Sequence, residues 1–129
     1  MQDESYSIYS FNSKMAVAVK DGLNANGANV LQYFPVGGEA QEWDIISKGK
    51  GYYNITSHIG GKALDVAGAE TVDGTNIQIF ESNGTNAQKF RFEKVGEIDN
   101  SLSVKLENGT YTICSSIDES KVLQNLVQQ

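Results

Sequence analysis

The sequence predicts an all-β fold assembled from a repeated four-stranded unit, and three observations carry that prediction. The first is self-similarity: displaced by 47 positions, the chain matches itself without a gap. Tyr6, Ile8 and Ser10 fall on Tyr53, Ile55 and Ser57, and Ala16, Val17 and Val19 fall on Ala63, Leu64 and Val66. Gly27, Asn29, Val30 and Tyr33 fall on Gly74, Asn76, Ile77 and Phe80, and "AQEW" at 40–43 falls on "AQKF" at 87–90. Matches spread along a whole unit mark a duplicated structural element rather than a local coincidence. The second is the period-two alternation of apolar and polar residues expected of half-buried strands. The third is composition: thirteen glycines against one proline, with many Asn, Ser and Thr, suit short strands joined by tight turns.

The elements are clearest in the second unit, 53–98. Its strands are "YNIT", "KALDV", "TNIQIF" and "QKFRFEKV"; its turns are "HIGG", "AGAETVDG" and "ESNGTNA". The glycines, asparagines and aspartates of the turns supply left-handed positions and side-chain turn bonds. The first unit, 6–52, follows from the offset. No amphipathic stretch is long enough for a helix. One such unit cannot bury its apolar face alone, which requires several packed together. A partial third unit is assigned to 99–129. It reads "SLSVKL", "YTICSS" and "KVLQNL", separated by "ENGT" and "IDES". Two alignments are open to it. One sets "VLQNL" at 122–126 on "VLQYF" at 30–34, an offset of 92; the other sets Tyr111 and Ile113 on Tyr53 and Ile55. Either way the third unit is incomplete or degenerate, which permits a homodimer in which two chains complete each other's barrels.

Length and charge bound the rest. The 129 residues suit one domain with one modest core. A net charge of −6 with scattered Lys and Arg argues against nucleic acid and anionic membranes as partners. No apolar run is long enough to cross a bilayer, so no membrane insertion is expected. No signal-like segment opens the chain, and Met1 reads as the start of an excised domain. Cys114 is the single cysteine and cannot form an internal disulfide. It reads as a small buried hydrophobe. His58, the only histidine, has no acidic or cysteine cluster at ligand spacing. Asp65, Glu70 and Asp73 lack the spacing of a calcium loop. No metal, cofactor or catalytic residues are expected, and the chain reads as a non-enzyme.

The ordered series "GKALDVAG", "DGTNIQIF" and "NGTNAQKF", with the weaker "GANVLQYF" and "EAQEW" in the first unit, resembles the ricin B-type lectins, also classed as family 13 carbohydrate-binding modules. The likeness is strong over 6 to about 95. It implies a β-trefoil: three four-stranded pseudo-repeats around a threefold axis, forming a six-stranded barrel capped by hairpins. Barrel closure removes exposed strand edges. In the family the motif glutamine, here Gln41 and Gln88, ties turns to the barrel, and Trp43 and Phe90 beside it plug the core.

The resemblance also implies where a sugar would sit. Pyranose recognition combines an aromatic face with a carboxylate or amide that bonds adjacent hydroxyls. Carried onto this chain, the carbohydrate-binding set is Asp65, Gln78, Phe80, Asn83 and Gln88. Asp65 also stands out by itself, as a carboxylate among residues patterned as strand. The plain structural reading makes Asp65 a turn cap and Phe80 a core aromatic. Two departures weaken the site. Ala87 and Ala40 stand where the family usually has Asn, and Phe80 offers a sugar no hydroxyl or indole N–H. The first unit has Tyr33 but carries Ala18 at the position of Asp65, and reads as dead. The expected function is weak, non-catalytic binding of a galactose- or xylan-type glycan through the second unit. The family setting implies a secreted, bacterial protein appended to a larger hydrolase or toxin. The competing expectation is a structural or protein-interaction trefoil with decayed sugar sites.

Overall fold

The computed structural model of the chain describes residues 4–10, 13–94, 111–116 and 127–128. Ten strands run through them: β1 (Glu4–Ser7), β2 (Ala16–Val19), β3 (Val30–Tyr33), β4 (Glu42–Ser47), β5 (Tyr53–Ser57), β6 (Ala63–Val66), β7 (Ile77–Phe80), β8 (Phe90–Lys94), β9 (Tyr111–Ser115) and β10 (Val127–Gln128). Among the described residues there is no α-helix. Single 3-10 turns at 20–22, 39–41, 67–69 and 86–88 close the loops.

Strands β1, β4, β5, β8 and β9 pair antiparallel in that order and make the barrel wall. The hairpins β2–β3 and β6–β7 branch from it, and β10 runs parallel beside β3. This is the β-trefoil arrangement. The 47-residue repeat is a repeat of register. Ala16↔Tyr33 and Val19↔Val30 in the first hairpin correspond to Ala63↔Phe80 and Val66↔Ile77 in the second. In the wall, Tyr6↔Trp43 corresponds to Tyr53↔Phe90. Even the left-handed residues coincide: Asp21 and Gly22 have φ of 56° and 63°, and Gly68 and Ala69 have 66° and 54°. Each unit places a glycine at one of these two positions, and not at the same one, so each keeps one non-glycine residue in a costly conformation.

The third unit departs from that period. Strand β9 meets β8 as β5 meets β4, since Phe90↔Ser115 repeats Trp43↔Ser57. That register matches the alignment of Tyr111 and Ile113 with Tyr53 and Ile55, 58 positions on rather than 47. The stretch "VLQNL" at 122–126 lies outside the described residues, as does "SLSVKL" at 101–106.

The core gathers Val17, Val19 and Val30 from the first unit and Ile55, Leu64, Val66, Ile77 and Ile79 from the second, around Trp43 and Phe90. The hairpins differ from the half-buried strands read from the sequence. All four residues of β2 and all four of β6 are buried, whereas β4 alternates. The reason is a second cover. The inner face of each hairpin packs on the core, while the 39–41 and 86–88 turns lie over β2 and β6. A buried indole needs a partner, and Trp43 Nε1 donates to the Val17 carbonyl at 2.9 Å. Trp43→Phe, which copies the second unit's residue into the first, removes that donor and some volume. It is expected to cost about 2 kcal/mol in urea unfolding. A cost under about 0.5 kcal/mol would show that the indole bond adds nothing.

Candidate functional site

The β6–β7 hairpin has two faces, set by strand alternation. Leu64, Val66, Ile77 and Ile79 point into the core. Ala63, Asp65, Gln78 and Phe80 share the other face, where Asp65 lies directly opposite Gln78 and Ala63 opposite Phe80. Phe80 is therefore a diagonal neighbour of Asp65, a separation on the order of 7–8 Å between positions.

Asp65 is only 6% exposed, so its carboxylate needs internal partners. Two glutamines supply them. Gln78 Nε2 donates to Oδ1 at 3.2 Å, and Gln88 Nε2 donates to Oδ2 at 2.8 Å. A carboxylate can accept about four hydrogen bonds, so acceptor capacity remains for a ligand hydroxyl. Phe80 is 36% exposed and closes the end of β7. Asn83 stands in the exposed loop beyond it. Its Oδ1 accepts from the backbone N–H and the hydroxyl of Thr85, at 3.1 and 2.8 Å, which holds the turn.

Of the five residues singled out from the sequence, Asp65, Gln78 and Gln88 are joined directly, and Phe80 shares their face. Asn83 is attached through its backbone, whose N–H donates to Gln88 Oε1 at 3.0 Å. Gln88 differs from the expectation. It is fully enclosed, 0% exposed, so it cannot touch a ligand. Its Nε2 also donates to the Glu81 carbonyl at 3.0 Å, and its own carbonyl accepts from Asn54 Nδ2 at 2.6 Å. Gln88 is thus a positioning residue that fixes Asp65 and the 81–83 loop together. Sequence reasoning missed Asn54, which stands between Tyr53 and Ile55 in an alternating strand and reads there as a solvent-facing residue.

The first unit repeats the scaffold without the chemistry. Gln41 Nε2 donates to the Phe34 carbonyl at 2.6 Å, and its Oε1 accepts from the Val36 N–H at 3.0 Å. These are the Glu81 and Asn83 contacts displaced by 47. In place of the Asp65–Gln78 pair, however, the register sets Ala18 against Leu31, both buried. Tyr33, 43% exposed, keeps the aromatic position, and Val36 replaces Asn83.

Elsewhere, His58 lies against Asp44 at 3.3 Å and Glu42 at 3.7 Å, and Cys114 is buried in β9. Among the described residues no group of three or more His, Cys, Asp or Glu is placed to hold a metal ion.

Comparison with known proteins agrees with this geometry. The family model described as "Ricin-type beta-trefoil lectin domain-like" matches residues 1–80 and again 39–126. Flavastacin of Elizabethkingia meningoseptica is 34% identical over 108 residues, 81% of this chain but 20% of its own length. The chain therefore spans about a fifth of that curated relative. Among solved structures, the designed threefold-symmetric protein ThreeFoil superposes with a TM-score of 0.79 at 30% identity, covering 92% of this chain and 76% of its own. An exo-β-1,3-galactanase from Clostridium thermocellum gives 0.76 at 29% identity, covering 88% of this chain and 22% of its own. With the repeated register and the paired motif glutamines, these matches place the chain in the ricin-type β-trefoil lectin-like family.

Proposed function

We propose that the second unit binds a neutral glycan and that the domain is a non-catalytic targeting module. The observation that carries this reading is Asp65: a buried carboxylate with each oxygen held by a glutamine, on the same hairpin face as the half-exposed ring of Phe80. Tyr33 is just as open in the first unit but has Ala18 and Leu31 beside it, so it is the pairing of an open ring with a held carboxylate that favours this reading over a purely structural trefoil. Family membership supports carbohydrate as the ligand class. Galactose- and xylan-type glycans are the proposed ligands. A galactanase carrying a similar domain favours the first. Carboxylates at Asp65 and Glu81 and the net charge of −6 disfavour anionic sugars. With one stacking ring and one carboxylate, affinity near millimolar is expected, about −4 kcal/mol. Such a site gains from linkage to neighbouring binding sites. The small share of flavastacin that the chain spans supports a domain appended to a larger protein, and a secreted bacterial hydrolase is the proposed carrier.

A glycan array probed with the purified domain tests the reading, repeated with Asp65→Ala. Galactosides or xylo-oligosaccharides should bind, and the variant should lose at least tenfold in affinity, about 1.4 kcal/mol or more. Asp65→Asn keeps the shape and one acceptor, and should lose less. A folded wild-type domain that captures no neutral glycan at millimolar sugar, or an Asp65→Ala variant that binds undiminished, would sink the proposal.

A further inference from the structure

Strand β7 has two edges, and only one of them is covered by its own hairpin partner, β6. The other is taken by residues 26–29 of the first unit. Gly27 N–H donates to the Ile79 carbonyl at 2.8 Å, Ile79 N–H donates to the Ala28 carbonyl at 3.0 Å, and Asn29 bridges Gln78. This short ladder cannot continue past Ile79. The first-unit segment turns away there, with Ala28 N–H closing on the Ala25 carbonyl and Gly27 at a φ of +86°. The next donor on β7's edge, Glu81 N–H, would be left without a strand partner. A side chain replaces it: Asn26 Oδ1 accepts from Glu81 N–H at 2.8 Å, across 55 residues of sequence.

Glu81 follows Phe80 directly, and its carbonyl already accepts from Gln88. The residue after the aromatic ring is therefore held at both of its backbone polar groups, by Asn26 at the N–H of the Phe80–Glu81 peptide and by Gln88 at the carbonyl of the next one. We infer that Asn26, from the first unit, is a positioning residue for the glycan site of the second, holding Phe80 in the orientation that stacks on a sugar. This inference rests on the proposed glycan reading. It makes the site a joint product of two units, so the first unit contributes to binding although its own site carries no carboxylate. Because Asn26 and Glu81 are both exposed, water can replace the bond when it is lost. The effect should fall on the order of the ring rather than on folding.

The test compares the wild-type chain with Asn26→Ala and Asn26→Asp, titrated with lactose and with xylotetraose and followed by backbone amide spectra and Glu81 amide exchange. Asn26→Ala is expected to exchange Glu81 N–H about tenfold faster and to bind the preferred sugar about three- to tenfold more weakly, with its melting temperature little changed. Asn26→Asp, which keeps the acceptor oxygen, should restore both. Wild-type binding that Asn26→Ala leaves unchanged overturns the role of Asn26 while the glycan reading stands. Unchanged Glu81 exchange in Asn26→Ala overturns the clamp itself. A wild-type chain that binds neither sugar overturns the glycan reading, and the role of Asn26 with it.

Discussion

Gln88→Ala is expected to destabilise the fold by about 4 kcal/mol, and Gln41→Ala, at the equivalent position of the first unit, by about 2 kcal/mol. Both glutamines satisfy one loop carbonyl and one loop N–H: Glu81 and Asn83 for Gln88, Phe34 and Val36 for Gln41. A buried backbone group stripped of its partner costs roughly 1–3 kcal/mol, and the exposed ends of these loops admit water, which keeps each cost at the lower end. Gln88 alone has a further duty, the bond from its Nε2 to Asp65 Oδ2. Removing it leaves one oxygen of a buried carboxylate unpaired, which costs more than losing a neutral partner. Urea unfolding of the two variants and of Asp65→Ala with and without Gln88→Ala isolates that contribution. Equal losses for Gln41→Ala and Gln88→Ala, with no coupling between positions 65 and 88, would show that the Asp65 contact adds no stability. Glycan binding by Gln88→Ala should fall with the loss of Asp65's position, although Gln88 itself touches no ligand.

How far the sequence reveals this arrangement depends on the kind of contact involved. The 47-residue period is legible because each unit solves the same packing problem, so the same residue classes recur at the same register positions. Asp65 is legible because a carboxylate inside an apolar strand contradicts its surroundings. Gln88 is legible as a motif residue but not in its role: a glutamine beside a core aromatic reads alike whether it faces a ligand or a carbonyl, and only burial decides. The strand register of the third unit is ambiguous in the sequence because the spacing stretches from 47 to 58, and periodicity arguments fail where the period changes. Asn26 was invisible for another reason. Its partner is a backbone N–H far along the chain, and backbone groups carry no sequence signature. In the first unit the departure is legible at Ala18, and the pairing shows that Leu31 stands in place of Gln78 as well.

That double replacement governs any attempt to restore the first site. Ala18→Asp would set a carboxylate at a position only 4% exposed, opposite Leu31, which offers no donor. Gln41 Nε2 is the nearest counterpart of the Gln88 donor, but no counterpart of Gln78 exists. A half-satisfied buried carboxylate should cost about 3 kcal/mol at pH 7. Burial disfavours the charged form, so the folded-state pKa of the new group should lie above its unfolded value of about 3.9. The sign follows from linkage: the folded state then binds the proton more tightly, so the deficit grows as pH rises through that range and shrinks toward pH 4. Ala18→Asp combined with Leu31→Gln supplies the second donor. It should recover about 1–2 kcal/mol of the loss at pH 7, despite the apolar packing that Leu31 gives up beside β10. Urea midpoints at pH 7 and pH 4 for the single and double variants decide it. A single variant as stable as wild type at pH 7, and able to bind the same glycan as the second unit, would mean that one donor suffices. The Gln78 bond would then be incidental to Asp65. A single variant that is destabilised at pH 7, relieved by acid and rescued by Leu31→Gln would establish the pair of glutamines, rather than the carboxylate alone, as the condition for placing a charge inside this hairpin.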